Sequence, residues 1–255
     1  MTALRAAFAL QLGLLRAKLG HAGVLVAIPF YVLIFFSIVR SHGRTDLDSA
    51  ALLAPALAGM WTLGLHFAGD IVDGDRWDGV LEAVLAAPTA LFRVVLGRSV
   101  AVGLVSLLGF VEALVCGLLF FRSTLSLGHP VWFVVALLAT AFASVCTCCL
   151  IAVVCVLGKS ALSFKNSLIY PIYVLGGVFL PVAFLPGWLG VVARAVYLSW
   201  SSDLLRAAAS TAPIADPVPA LAAILGLGVG ALVLGALLAD IVVRRVRRTG
   251  KVLVS

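Results

Sequence analysis

Of the 255 residues 63% are hydrophobic and only 11% charged, and the mean hydropathy is +1.20. Soluble domains run at about 45–50% apolar and about 25% charged, so a soluble protein is excluded. Eighteen Lys and Arg outweigh eleven Asp and Glu, a net charge of +7. Most of the basic residues sit in short segments between long apolar runs, and Arg244, Arg245, Arg247, Arg248 and Lys251 follow the last run directly. That placement reads as membrane topology, not as a nucleic-acid surface.

In chain order, residues 1–20 come first. Leu4, Phe8, Leu12, Leu15 and Leu19 recur at spacings of four and three, with Arg5 and Arg16 at the stripe's edge, which predicts a helix lying on the membrane surface. Apolar runs then follow over 22–39, 50–69, 99–121, 131–157, 168–185 and 220–239. A bilayer core offers no water to backbone N–H and C=O groups, so runs of about 20 residues must satisfy themselves as helices. The expected fold class is an all-α membrane protein: six transmembrane helices in a single domain over 1–255. On alternate sides of these spans thirteen Lys and Arg face five, which puts both termini in the cytoplasm. All five cysteines lie inside apolar runs (Cys116, Cys146, Cys148, Cys149 and Cys155), so no disulfide framework is inferred, and no loop-separated metal-ligand spacing occurs.

Between the second and third runs, Asp73, Asp75 and Asp78 precede Leu81, Val84, Leu85, Pro88, Leu91 and Val95 at three- and four-residue spacing. This predicts a short cytoplasmic helix over 73–92 that starts at the acids, where the helix dipole favours them. Glu82 continues its polar face and Pro88 ends or kinks it. Such a segment is either a face offered to a soluble partner or a plain solvated loop.

Glu112 lies near the middle of the third run. An ionised acid there costs about 2.5–3.5 kcal/mol on insertion scales, so it is either a neutral carboxyl bonded across a helix interface or a substrate- or proton-linked group. In the fifth run Pro171, Gly176 and Gly177 predict a bend or break, and Pro181 and Pro186 forbid one smooth span. The following stretch, Trp188 to Leu198, is too short to cross before Asp203, so 186–210 is expected as a re-entrant or surface helix on the outer side. Irregular backbone at that depth must be covered or line a wet cavity, which suits an outer gate or a local packing kink. Trp61, Trp132, Phe164, Tyr170, Tyr173 and Phe179 are possible aromatic contacts for a lipophilic substrate.

Residues 75–98 resemble the cytoplasmic loop of ABC-2 type transporter permeases, the multidrug and polysaccharide exporter group. The family pattern runs acid-Arg-x-x-Gly-Thr-Leu-Glu, then Pro, then Leu-Gly-basic, and Asp75, Arg76, Gly79, Leu81, Glu82, Pro88, Leu96, Gly97 and Arg98 match it. Asp75 stands for the commoner Glu and Val80 for Thr. Residues 178–209 are similar to the family's outer stretch through Pro181, Pro186, Trp188, Asp203, Leu205 and Arg206. The resemblance covers essentially the whole chain.

It implies a permease that dimerises, as a homodimer or a paired heterodimer, and rests a coupling helix on an ABC ATP-binding subunit, two copies being expected. The coupling residues it assigns are Asp75, Arg76, Asp78, Gly79, Leu81 and Glu82. The expected path or gate comprises Glu112, Tyr170, Pro171, Tyr173, Gly176, Gly177, Pro181 and Pro186. Residues 153–160 contain Gly158-Lys159-Ser160 but Val153 where a phosphate-binding loop needs its first glycine. No cofactor is therefore expected in this chain, and ATP and Mg belong to the partner subunit. No nucleophile with a base, paired acids or His-Glu metal set composes a membrane enzyme. The expected activity is ATP-driven export of a drug, peptide or lipid-like molecule across the cell membrane; the alternative is a proton-coupled secondary transporter using Glu112.

Overall fold

The computed structural model describes residues 2–17, 22–41, 48–79, 91–121, 127–157, 161–179, 181–214 and 216–249. Among them are nine α-helices: α1 (Thr2–Ala17), α2 (Ala22–Ser41), α3 (Asp48–Trp77), α4 (Leu91–Phe121), α5 (Pro130–Leu157), α6 (Ala161–Leu175), α7 (Gly187–Ala193), α8 (Tyr197–Ala209) and α9 (Val218–Thr249). A 3-10 turn, Val182–Phe184, precedes α7. No strand occurs among the described residues.

Four helices are long and apolar enough to cross a membrane, over Ala51–Ile71, Leu91–Phe121, Pro130–Val156 and Val218–Arg245. They correspond to four of the six expected spans. The described apolar parts of the first and fifth runs, Ile28–Ser41 and Asn166–Leu175, are shorter. The fifth run is not one helix over 168–185: α6 continues through Pro171 and stops at Leu175.

Helix α3 is the hub. Every residue from 51 to 61 is buried, and α2, α4, α5, α6 and α8 all pack on it. Small residues allow the close approach. A Cβ on Gly109 of α4 would sit 2.6 Å from Leu63 Cδ1, and one on Gly117 2.4 Å from Leu52 Cδ1. Helix α9 is the opposite case: it leans on α5 and α8 while Val229, Val233, Leu237 and Ile241 stay exposed. In a bilayer, lipid covers that face without cost.

Helix α1 forms as expected and packs on α4, but through another face than its leucine stripe. Among the described side chains of α1, Ala7 and Gln11 are the buried positions, Phe8 and Leu12 are half-buried and Leu4 is 36% exposed.

The segment 73–92 differs from the expectation. Asp73 and Asp75 lie in the last turns of α3, not at the start of a new helix. The stop is Gly79 at φ +67, a left-handed position that glycine adopts without a Cβ penalty. Acids at a helix C-terminus oppose its dipole, and the compensation for Asp75 is an ion pair. Leu81, Glu82 and Pro88 lie outside the described residues.

Candidate gate and coupling site

At the α1–α3–α4 end, Arg98 is 3% exposed. Its Nη1 donates to Asp75 Oδ2 at 2.6 Å and its Nε to Gln11 Oε1 at 2.8 Å. One guanidinium thus ties three helices together. The expected coupling residues separate accordingly: the Asp75 carboxylate is engaged inside the chain, whereas Asp78 and Gly79 are exposed. Trp77, which the sequence reading passed over, is 91% exposed beside them. A tryptophan next to three clustered acids is the signal that was available. Arg76 belongs to the last turn of α3.

At the other end, the break after α6 is a Schellman turn. Val178 N–H donates to Tyr173 O and Gly177 N–H to Val174 O, each at 3.2 Å, with Gly177 at φ +62; this is the pattern in which a left-handed residue satisfies the last carbonyls of a helix. The break therefore falls at the glycines and not at Pro171, which stays inside α6 and exposed. Gly176 is required by close approach, since a Cβ there would meet Leu198 Cδ2 at 2.8 Å. Pro181 and Pro186 begin the 3-10 turn and α7.

The remaining carbonyls are taken by α8. Arg206 Nη2 donates to Gly177 O at 2.5 Å and Val178 O at 2.6 Å, and Ser202 Oγ donates to Gly176 O at 2.8 Å. Burial draws the Arg206 pKa below its ordinary value, and Asp203 opposes that. Asp203 is shared: Arg194 Nη1 reaches its Oδ2 at 2.8 Å, whereas Arg206 Nη1 stands 4.0 Å from Oδ1. Arg194 also lies 4.5 Å over the Trp200 ring, and Trp200 Nε1 donates to Arg194 O at 2.9 Å. The segment 186–210, expected on the outer side, thus divides in two. Helix α7 exposes Trp188 and Val191, while α8 is buried on most of its positions and packs among α3, α5 and α9, with Tyr197 hydroxyl bonded to Ser144 Oγ at 2.8 Å.

An aromatic wall runs up to the break. Phe35 of α2 stacks on Phe179 at 5.1 Å between centroids, Phe179 meets Tyr173 at 4.9 Å, and Tyr170 stands edge-on to Tyr173 at 6.4 Å. Thr62 donates its hydroxyl to Ala58 O at 2.8 Å and bonds the Tyr173 hydroxyl, which links α6 to α3. Tyr170 and Phe179 are exposed. Of the expected path residues, Tyr170, Tyr173, Gly176 and Gly177 come together here. Glu112 does not join them: α4 and α6 both pack on α3 but not substantially on each other among the described residues. Its Oε2 is buried without a hydrogen-bond partner among those residues. Phe35 and Thr62 were missed, since nothing in the local pattern marks them.

The stretch before Gly158-Lys159-Ser160 is helical to Leu157, not the buried strand that opens a phosphate cradle. Among the described residues no three His, Cys, Asp or Glu gather as metal ligands.

The profile of the ABC-2 type transporter family matches residues 12–209. The chain belongs to the ABC-2 type transporter family. ABC-2 membrane chains are transmembrane permease domains, not themselves ATPases, and the family implies pairing with an ABC ATP-binding subunit. The protein is accordingly a multi-pass membrane subunit of an ABC transporter. A comparison with curated proteins finds no match.

Proposed function

We propose that this ABC-2 subunit forms half of an ATP-driven exporter that moves a lipophilic or amphipathic substrate out of the cytoplasm by alternating access. Its place is the cell membrane with both termini cytoplasmic, as the asymmetry of Lys and Arg supports. Two ATP-binding subunits, which carry the ATP and Mg, dock at the end of α3, where the exposed Trp77 and Asp78 stand beside Gly79. Arg76, Leu81 and Glu82 belong to the same contact, and a second permease chain, identical or related, completes the path.

The observation that carries this reading is the broken helix. The aromatic wall ends at a Schellman turn held shut by the Tyr173–Thr62 bond and by Arg206, so opening costs a few polar bonds and not the unwinding of a continuous helix. Movement transmitted through the rigid α3 then acts on the wall at Thr62.

The test is reconstitution of the chain with an ATP-binding subunit in vesicles. Arg206→Met is expected to lower ATP-dependent substrate efflux while ATP hydrolysis continues, and Trp77→Ala to weaken co-purification of the two subunits. Full-rate transport by the isolated chain with no ATPase present defeats the proposal.

One observation favours a second reading. Glu112 Oε2 is buried with no hydrogen-bond partner among the described residues, and a carboxyl inside a span is the kind of group a proton-driven carrier uses. Loss of transport in Glu112→Gln with ATPase coupling intact, or collapse of transport when only the proton gradient is removed, selects that reading.

A further inference from the structure

A groove of about 420 Å³ lies between α1, α4, α5 and α9. Leu4, Leu96, Leu107, Ala141 and Leu232 are among its lining residues. It opens sideways, because Leu104, Leu138 and Phe142 on its walls are 52%, 63% and 41% exposed.

On α4 the lining positions 96, 100, 103, 104 and 107 recur at helical spacing. Arg93 lies three residues before Leu96 and so continues the same face by one turn. It is exposed and forms no ion pair among the described residues. It also stands in the first turn of α4, whose dipole adds positive potential. From Leu96 to Leu107 the helix rises about 16 Å, close to half of the roughly 30 Å hydrocarbon core. The groove therefore spans one leaflet, with a guanidinium where the headgroups of that leaflet lie.

An empty apolar groove forfeits the dispersion contacts of its lining atoms, and the surrounding solvent that fits it is a hydrocarbon chain. We propose that the groove holds one acyl chain of an anionic phospholipid whose phosphate pairs with Arg93. A zwitterionic lipid offers the same chain but cancels part of its own headgroup charge, so Arg93 sets the preference while the groove supplies the binding. The inference requires only that the helices lie in a bilayer, and it stands whether or not the ATP coupling proposed above holds.

The experiment is native mass spectrometry of the purified full chain in detergent with added dioleoyl phosphatidylglycerol or dioleoyl phosphatidylcholine. One phosphatidylglycerol is expected to be retained about five-fold more tightly than phosphatidylcholine, the effect of one basic side chain at a headgroup. Arg93→Gln should remove that preference and leave phosphatidylcholine retention unchanged. Ala141→Phe, or Val100→Phe should the first fail to fold, should weaken retention of both lipids by filling the groove. Equal retention of the two lipids by the wild type, or a preference that survives in Arg93→Gln, overturns the headgroup assignment. Unchanged retention in a folded groove-filling variant overturns the site.

Discussion

Two arginines hold opposite ends of the bundle. Arg98 is sealed between Asp75 and Gln11, with side chains 4% and 13% exposed across the ion pair. Arg206 instead spends its Nη2 on two backbone carbonyls, and its nearest carboxylate, Asp203, stands 4.0 Å away and is bonded to Arg194. The first arrangement neutralises a buried charge with a side chain from another helix, so separating α3 from α4 strands both ions. The second can open, because Asp203 sits within reach to receive the released guanidinium. For the exporter proposed above, this asymmetry offers a fixed joint where the push enters and a latch where the motion is spent.

The fixed joint predicts the largest effect. Asp75→Ala leaves Arg98 buried and unpaired, which should cost about 3–5 kcal/mol, read as a fall in the thermal midpoint of the full chain in detergent. Removing both charges should recover most of it, because neither ion then remains stranded. A double variant Asp75→Ala/Arg98→Met no more stable than the single variant breaks the contrast with the Arg206 end.

The latch should matter less for stability and more for work. Arg206→Met orphans two carbonyls, each worth about 1.5–3 kcal/mol when bonded to a charge. Asp203 is 37% exposed, so water reaches this end and the net loss should be about 2 kcal/mol. The sharper measurement is the ratio of transported substrate to ATP hydrolysed, which should fall in Arg206→Met and hold in a variant destabilised to the same extent elsewhere.

The two helix stops give a matched pair of smaller changes. Gly79 and Gly177 both have positive φ, but a Cβ on Gly79 meets nothing within 4 Å among the described residues whereas one on Gly177 would lie 2.9 Å from Val182 Cγ2 and 3.0 Å from Ser202 Oγ. Gly79→Ala should cost only the backbone strain, about 1–2 kcal/mol. Gly177→Ala should cost that plus the displacement of α8. Equal losses in the two thermal midpoints would mean that α8 yields to the added methyl without cost.

These contacts also mark how far the sequence could be read. Apolar run length located the long helices because backbone satisfaction in lipid leaves no other structure, and glycine and proline spacing located the break in the fifth run. What local pattern could not supply was direction. Asp73, Asp75 and Asp78 look like a helix start, but Asp73 and Asp75 close α3, which stops at Gly79, and the charge partner of Asp75 is Arg98, 23 residues on, with Gln11 a further helix away. The same holds for Arg206, which stood out only as part of a family motif; its partners are carbonyls 28 and 29 residues earlier. The leucine stripe of α1 is periodic, yet the buried positions are Ala7 and Gln11, and what Gln11 does there, accepting from the buried Arg98, is not written in the local spacing.

The smallest expected effect tests whether Asp203 is the receiver of the latch. The Arg194–Asp203 pair has side chains 40% and 37% exposed, so screening limits it to below about 1 kcal/mol, and the Arg194–Trp200 contact adds about 0.5–1 kcal/mol at such a site. Arg194→Gln should therefore lower the thermal midpoint only slightly, and less at high salt. Its effect on Arg206 runs the other way: Asp203, no longer shared, can close on the second guanidinium within α8 and draw it from the Gly177 and Val178 carbonyls. The latch is then biased toward its open form, so substrate moved per ATP hydrolysed should fall, and the combined variant Arg194→Gln/Arg206→Met should fall no further than Arg206→Met alone. Strictly additive losses in that pair would show that the two arginines act on separate groups and that the Arg206 end has no shared carboxylate to trade.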